Sequence, residues 1–258
     1  MDADAAMTTK TSGEADIEVD QTSVELSIVL PAYNEVTLLG STVTNLTSGL
    51  GNTGLSYEIV IVENGSTDAT LLLARRLADE VPHVRVLTQA VGNYGAALEA
   101  GIVASRGYFV ATFDVDYYDL AFLRRALELL ASTDAGVVIA SKRAPGSDDQ
   151  RALARRAVTL AHMLVLRQLL GLEVSDVHGM KVIRREQLLP VIEKTVLRDS
   201  SFDVEYVLRA QRAGIGIEEL PAIVVELRPA RTAIVRRSVR AIADVVRLRR
   251  LLGNPQPQ

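Results

Sequence analysis

Gly107-Tyr108-Phe109-Val110-Ala111-Thr112, followed by Phe113-Asp114-Val115-Asp116-Tyr117-Tyr118-Asp119, is the stretch on which the fold turns. The first six residues are mostly apolar and rich in β-formers, the pattern of a buried strand. Two carboxylates separated by one residue stand where that strand ends. Residues i and i+2 of an extended segment point to the same side. Asp114 and Asp116 are therefore able to face one small volume at the strand's C-terminal edge. Two hard oxygen ligands so arranged suit Mg²⁺ or Mn²⁺ held against a diphosphate. The alternative is a strand-ending turn with solvated acids, and a three-residue motif alone does not separate the two.

Working toward the N-terminus, Val84-Arg85-Val86-Leu87 reads as a strand leading into Gly92-Asn93-Tyr94-Gly95 and a helix to about Ser105. Tyr57 to Val62 is another strand. It ends in Glu63-Asn64-Gly65-Ser66-Thr67-Asp68, where Ser66 or Thr67 is placed to cap a helix running to about Asp79. Leu26-Ser27-Ile28-Val29-Leu30 is the first strand, stopped by Pro31, with Ala32-Tyr33-Asn34-Glu35 as its turn and a helix through about Leu50. Beyond the aspartates come a helix from about Leu120 to Ser132 and a strand from Gly136 to Ala140. There is no internal repeat. Strands alternating with helices, the strands almost unbroken in apolar character, argue a mostly parallel α/β sheet with helices on both faces. Ligands of such sheets bind outside the carboxyl ends of the strands. The polar turns at Tyr33–Glu35, Glu63–Asp68 and Asp114–Asp119 all fall at those ends, so they converge on one crevice.

In the second half, residues 144–150 read as a loop and Arg151 to Leu170 as a long helix carrying Arg151, Arg155, Arg156 and Arg167. Ser175-Asp176-Val177-His178-Gly179-Met180-Lys181 precedes a short strand at Val182-Ile183. Ser201 to Glu205 opens a helix closed near Gly214, and residues 215–227 read as strand, turn and strand around Pro221. A last helix is expected over Thr232 to Leu252. Val235, Val239, Ile242 and Val246 make an apolar stripe along it, with Arg236, Arg240 and Arg247 on an adjacent face. Either it packs on the domain with solvated arginines, or it lies in the plane of an anionic membrane surface.

The 258 residues are enough for one large α/β domain or two small ones, and 48% hydrophobic with 23% charged is ordinary for a globular protein. The absence of Cys excludes disulfides, thiolate nucleophiles and Cys-ligated metals. There is no basic-then-apolar leader and no apolar run near the ~18 residues of a membrane span. The expectation is a cytoplasmic protein, peripheral at most to the inner face of a membrane. Net charge is −4, unevenly placed: residues 1–23 carry six acids and one base, leaving +1 for the remainder. The expected division is a disordered acidic tail over 1–23, one domain over 24–231, the basic amphipathic helix over 232–252 and a tail over 253–258. Residues 228–250 hold eight Arg against Asp244, a local basic surface and not the footprint of a nucleic-acid binder. The composition is compatible with a homo-oligomer and does not require one.

The ordered set of motifs resembles glycosyltransferase family 2. It consists of Leu30-Pro31-Ala32-Tyr33-Asn34-Glu35, Glu63 to Asp68, Asn93-Tyr94-Gly95 with Ala97 and Gly101, and Asp114-Val115-Asp116. Ala140-Ser141-Lys142-Arg143, the Arg151 to Arg156 segment, Ser175-Asp176 with Gly179 and Lys181, and Phe202-Asp203-Val204-Glu205 are similar to the dolichol-phosphate mannose synthase branch. The resemblance covers about residues 25–250. It implies a GT-A type fold, a nucleotide-sugar donor and a polyprenyl-phosphate acceptor. Pro31, Tyr33 and Glu35 would line the nucleotide pocket together with Asn64, Gly65 and Asn93, and Glu63 stands where the family has an Asp that binds the base. Asp114 would contact the nucleoside or the metal, and Asp116 would ligate the Mg²⁺ or Mn²⁺. Lys142, Arg151 and Arg156 match basic positions near the acceptor phosphate. Asp176, His178 and Lys181 would shape the site around the transferred sugar and diphosphate, with Asp116, Asp176 and Lys181 taken as the catalytic set.

Three departures stand out. The family's Asp-Asp-Gly-Ser turn is Glu63-Asn64-Gly65-Ser66, Tyr118 occupies the place of a Gln that often helps the metal, and the segment from Asp176 to Lys181 is one residue short. The donor, of GDP-mannose or UDP-glucose type, is therefore left open. So are a soluble acceptor and a non-catalytic nucleotide-sugar-binding relic. A nicotinamide-dependent dehydrogenase needs Gly-X-Gly-X-X-Gly after the first strand, and Pro31 to Glu35 stands there instead.

Overall fold

The computed structural model describes residues 24–224 and 245–253. The strands are β1 (Leu26–Ala32), β2 (Tyr57–Asn64), β3 (Val84–Gln89), β4 (Phe109–Thr112), β5 (Val137–Ser141), β6 (Asp148–Asp149), β7 (Lys181–Arg184), β8 (Ile217–Pro221) and β9 (Ile223–Val224). The helices are α1 (Leu39–Leu50), α2 (Thr70–Glu80), α3 (Tyr94–Ala104), α4 (Leu120–Ser132), α5 (Leu153–Leu170), α6 (Arg185–Ile192) and α7 (Phe202–Arg212). Seven strands form one sheet in the order β3-β2-β1-β4-β7-β5-β8, and β6 pairs with β9 apart from it.

Why these runs are strands is visible in their burial. Every residue of β1 is buried, and alternate residues feed opposite cores. Val29, Val60, Val62 and Val110 face the side covered by α3, α5, α6 and α7, whereas Ile28, Leu30, Ile59 and Ile61 face α1, α2 and α4. A strand buried on both faces loses the polar alternation of a half-exposed one and reads as a continuous apolar run. The expected GT-A like layering is thus found, with one strand against the grain: β7 is antiparallel to both β4 and β5.

The chain passes from β1 outward to β2 and β3, then returns to β4 on the other side of β1. The carboxyl ends of β1 and β4 therefore flank a topological switch point, the usual ligand crevice of an open α/β sheet. β7 adds to this rim from the other direction. Its first residue, Lys181, sits opposite Thr112 of β4 and Ile139 of β5, so an antiparallel strand begins where its neighbours end.

Several boundaries differ from the sequence reading. β1 continues through Pro31, which pairs with Val62. Pro31 has the parity of Val29, whose carbonyl accepts from Phe113 N–H, and by Pro31 the pairing with β4 has ended. Its missing N–H thus costs no ladder bond. Ser66 and Thr67 do not cap α2, which starts at Thr70 without a side-chain cap. Ser66 Oγ instead accepts from Asn34 N–H (3.0 Å). α5 begins at Leu153, so Arg151 precedes it. α6, with Pro190 inside it, follows β7 with no loop. The acidic tail (1–23) and most of the basic helix, including Val235, Arg236, Val239, Arg240 and Ile242, lie outside the described residues. Of the expected stripe, Val246 is exposed, and Val245 and Leu248 are the buried residues of that helical turn. The apolar face there is rotated by one residue, because the core it meets is built from α5 and α7.

Candidate active site

The first two polar turns are stitched into one wall. Asn34, the one non-glycine with positive φ (55°) among the described residues, accepts from Thr67 N–H through Oδ1 (2.9 Å) and donates its own N–H to Ser66. Asn tolerates the left-handed region better than most residues, and its short amide bonds locally there. Glu35 N–H donates to Thr70 Oγ1 (2.8 Å), fixing the start of α2 to the end of β1. Glu63 is buried, with Oε1 accepting from Ser66 N–H (2.6 Å), and buried Asn64 accepts from Asn93 N–H (2.8 Å). Gly65 has φ 69°, and a Cβ on it would meet Gly92 N at 2.9 Å, so only glycine lets the two turns close up. A Cβ on Gly92 would in turn touch the half-exposed Tyr33 ring at 3.3 Å. Tyr33, Glu63, Asn64, Gly65 and Asn93 are thus brought together as one lining, with Pro31 and Glu35 behind it.

The acid pair lies at the next strand end. Asp114 closes a tight bridge with Tyr117, N–H to carbonyl in both directions at 3.1 Å. Between them, Val115 is buried and its carbonyl accepts from Thr42 Oγ1 of α1 (2.7 Å). That bond pins the apolar residue inward and leaves Asp114 and Asp116, both partly accessible, on the other side. Tyr94 Oη donates to Asp114 Oδ1 (3.1 Å). Burial raises the Asp114 pKa to about 6 against the help of that bond, and the charges of Asp116 and Asp203 raise it further, while Lys181 opposes them. The two aspartates therefore feel each other, but not as alternate residues of an extended segment: β4 ends at Thr112, and Asp114 to Tyr117 is a tight turn with Val115 and Asp116 at its centre.

Two repelling oxygen donors at a strand end fit a divalent cation of the Mg²⁺ or Mn²⁺ kind, which takes one or two carboxylates and completes its shell with water and substrate phosphate. Among the described residues no cluster of three or more His, Asp and Glu is arranged to hold a metal ion. Tyr118 is turned from this place: its Oη accepts from Asn45 Nδ2 of α1 (2.8 Å).

On the far side of β4 the sequence-predicted residues are placed less simply. Lys181 is buried, its Nζ donating to Gly179 O (3.0 Å) and to Asp203 Oδ1 (2.9 Å) beneath the Tyr206 ring. Asp176 is fully buried and paired with Lys142 Nζ (2.8 Å), with His178 N–H on its other oxygen (3.0 Å). Burial opposes ionisation of Asp176, yet Lys142 and those bonds outweigh it and hold the carboxyl at about 2. The resemblance assigns Lys142 to an acceptor phosphate; its ammonium is instead committed to Asp176, and Asp176 itself stands behind the surface it would shape. His178 is exposed and stacked on His162. Arg151 is forked onto Asp149 through Nε and Nη2 (2.8 and 2.7 Å), and Arg156 is exposed on α5.

Glu219 was not singled out from sequence, and Ser141, Ser175, Tyr94 and Asp203 were quoted within motifs but given no role of their own. Glu219 of β8 accepts from Ser175 Oγ (2.6 Å) and from the N–H groups of Ser175 and Asp176, with Ser175 also bonded to Ser141 (2.6 Å). Tyr94 touches Asp114, and Asp203 holds Lys181. A Cβ on Gly179 would collide with the Ala140 carbonyl, which is why this segment can pass so close to β5.

Comparison with known proteins agrees with this architecture. The family model described as Glycosyl transferase family 2 matches residues 27–189. A dolichyl-phosphate beta-glucosyltransferase of Trichomonas vaginalis is 30% identical over 220 residues, covering 78% of this chain and 66% of that relative. A dolichyl-phosphate hexose transferase of Haloferax volcanii is 30% identical over 202 residues, covering 76% of this chain and 81% of the other. The glucosyl-3-phosphoglycerate synthase of Mycobacterium tuberculosis, solved with Mn²⁺, UDP and phosphoglyceric acid, superposes with TM-score 0.66 at 21% identity over 90% of this chain and 80% of its own. The chain belongs to glycosyl transferase family 2 and has its GT-A like fold. Among the described residues no helix is long and apolar enough to cross a membrane.

Proposed function

We propose that this glycosyltransferase moves a hexose from a nucleotide sugar to a polyprenyl phosphate at a membrane surface, with inversion at the anomeric carbon. The observation that carries the reading is the continuous wall at the switch point of the sheet, where Asn34 is bonded to Ser66 and Thr67 and Asn64 to Asn93, with Asp114 held by Tyr94 at the adjoining strand end. Tyr33 and the Glu63–Gly65 turn would hold the nucleoside. Asp114 and Asp116 would hold the cation, which, when bound, supplies neutralisation of the departing diphosphate. Lys181, fixed by its ion pair with Asp203, adds positive potential at the same rim. The acceptor oxygen is already anionic, so no general base is required.

A lipid-linked acceptor is favoured over a soluble one by α5. Leu153, Leu160 and Leu164 are exposed on it at spacings that put them on one face, with exposed Arg156 nearby. This stripe starts two residues after Arg151. The Haloferax and Trichomonas relatives, whose names specify dolichyl phosphate, support the same choice.

A melting-temperature panel of GDP, UDP and their sugars, with and without Mn²⁺, tests the donor half. One nucleotide is expected to raise the melting temperature by several degrees only with metal, since a ligand at 100 times its Kd adds about 2.7 kcal/mol. The metal-dependent part should shrink below pH 6, because Asp114 ionises only above about that value and its proton then competes with the cation. No shift with any nucleotide would overturn the donor site. Transfer to a polyprenyl phosphate giving the product with retained configuration would overturn the single displacement.

A further inference from the structure

Tyr94 is a large side chain at the edge of the site, 39% exposed, and it belongs to neither hydrophobic core. What it does make is the bond from its Oη to Asp114 Oδ1 (3.1 Å). Among the described residues that bond uses Oδ1 alone, and no protein donor is bonded to Oδ2. The Asp114 backbone is held separately, by the bridge to Tyr117. The tight turn thus places the residue, and Tyr94 sets the rotation of its carboxyl group.

Tyr94 is itself firmly mounted. It is the first residue of α3 and directly follows Asn93, whose N–H is bonded to Asn64 Oδ1 (2.8 Å). Gln89 Nε2, at the end of β3, donates to Ala96 O (2.9 Å). Ala96 N–H donates to Arg198 O (2.8 Å), and a Cβ on Gly95 would collide with the Asp199 carbonyl oxygen. The first turn of α3 is therefore fixed from three sides, by the Glu63–Gly65 turn, by β3 and by the 198–199 segment. The phenol meets Asp114 from a rigid base. A carboxylate that ligates a cation gains affinity when an outer hydrogen bond orients it. A phenol suits that task, because it gives one proton to one oxygen and carries no charge to oppose the cation.

We propose that Tyr94 is a positioning residue for cation binding, its hydroxyl holding the Asp114 carboxylate by Oδ1 and keeping Oδ2 for a divalent ion. This rests on the two-carboxylate reading given above. It also ties the cation to the nucleotide wall, since Asn93 and Tyr94 are consecutive.

Tyr94→Phe keeps the ring and removes the donor. With the full chain and saturating UDP or GDP, Mn²⁺ is titrated and read both by melting temperature and by the paramagnetic resonance signal of free Mn²⁺. The Mn²⁺ midpoint is expected to rise about tenfold, within the range such outer partners contribute. With Mn²⁺ saturating, the nucleotide midpoint should stay within about twofold of wild type and the melting temperature of the unliganded variant within about 2 °C, a split that a general loosening of the site does not produce. A Mn²⁺ midpoint raised less than about fivefold, or raised no more than the nucleotide midpoint, overturns the assignment. Wild-type protein that binds no Mn²⁺ with either nucleotide overturns the two-carboxylate reading and this assignment together. Wild-type binding with an unaffected variant overturns the assignment alone.

Discussion

Asp116→Ala is expected to lower the rate of sugar transfer by about a thousandfold or more and to leave the fold intact. Coordination of a leaving diphosphate by a divalent cation is worth several kcal/mol, and each 1.4 kcal/mol is tenfold in rate. In the proposed site Asp114 and Asp116 are the two carboxylates that would hold the cation, so loss of Asp116 would leave one of them. The same substitution removes one of the charges that raise the Asp114 pKa. The melting temperature without metal should accordingly stay level or rise, while the extra stabilisation by Mn²⁺ with nucleotide disappears. A variant that keeps more than a tenth of wild-type kcat/KM would refute the two-carboxylate site. Loss of activity accompanied by a large drop in melting temperature would point instead to a structural role for the side chain.

The second large effect concerns stability. Asp176→Asn leaves the Lys142 ammonium, whose side chain is 7% exposed, without its counter-charge. Stranding one member of a buried pair costs about 3–5 kcal/mol. In a chain of this size that lowers the melting temperature by on the order of 10 °C. Adding Lys142→Met should restore at least half of the loss, because the uncompensated charge is then gone. A single variant within 2 °C of wild type would show that the pair contributes little. Acid should act on the same bond. The folded carboxyl ionises at about 2 against an ordinary value of 3.8, so its contribution is complete above pH ~4 and is lost as pH falls through 2. Its size is about 2 kcal/mol by linkage. This is smaller than the cost of the Asn variant, since protonation and amide substitution leave different groups unsatisfied.

The wall built by the turns after β1 and β2, with the acid pair after β4, was legible because its signals are local. β1, β2 and β4 are buried on both faces, which makes them continuous apolar runs, and the polar residues that follow each run mark the carboxyl ends. Two carboxylates two residues apart need no distant information to influence each other, although the extended backbone expected for them is a tight turn. The other half depends on partners far apart in the chain. Lys181 meets Asp203 at a separation of 22 residues, and Ser175 meets Glu219 at 44. Nothing in the local pattern of Lys142 says that its ammonium is taken by Asp176. A lysine after an apolar strand looks the same whether it faces a ligand or a buried acid. The reversed direction of β7 was equally hidden: a four-residue strand with Val182 and Ile183 between two basic residues carries no mark of its direction, and α6 joins it directly, with a proline that argues against a helix.

The reversed strand has a consequence for how this rim can vary. Parallel neighbours present only their exits, so loops that leave β1, β2 and β4 furnish one side. β7 presents its entrance at the same rim, and the segment that leads into Lys181 arrives from the far half of the chain. The two walls of the rim are therefore supplied by separate stretches of polypeptide. Insertions or replacements before Lys181 can remodel one wall while the register of β1 against β2 and β4 stays untouched; under the proposed function, that would leave the choice of recipient free to drift under a constant grip on the activated sugar.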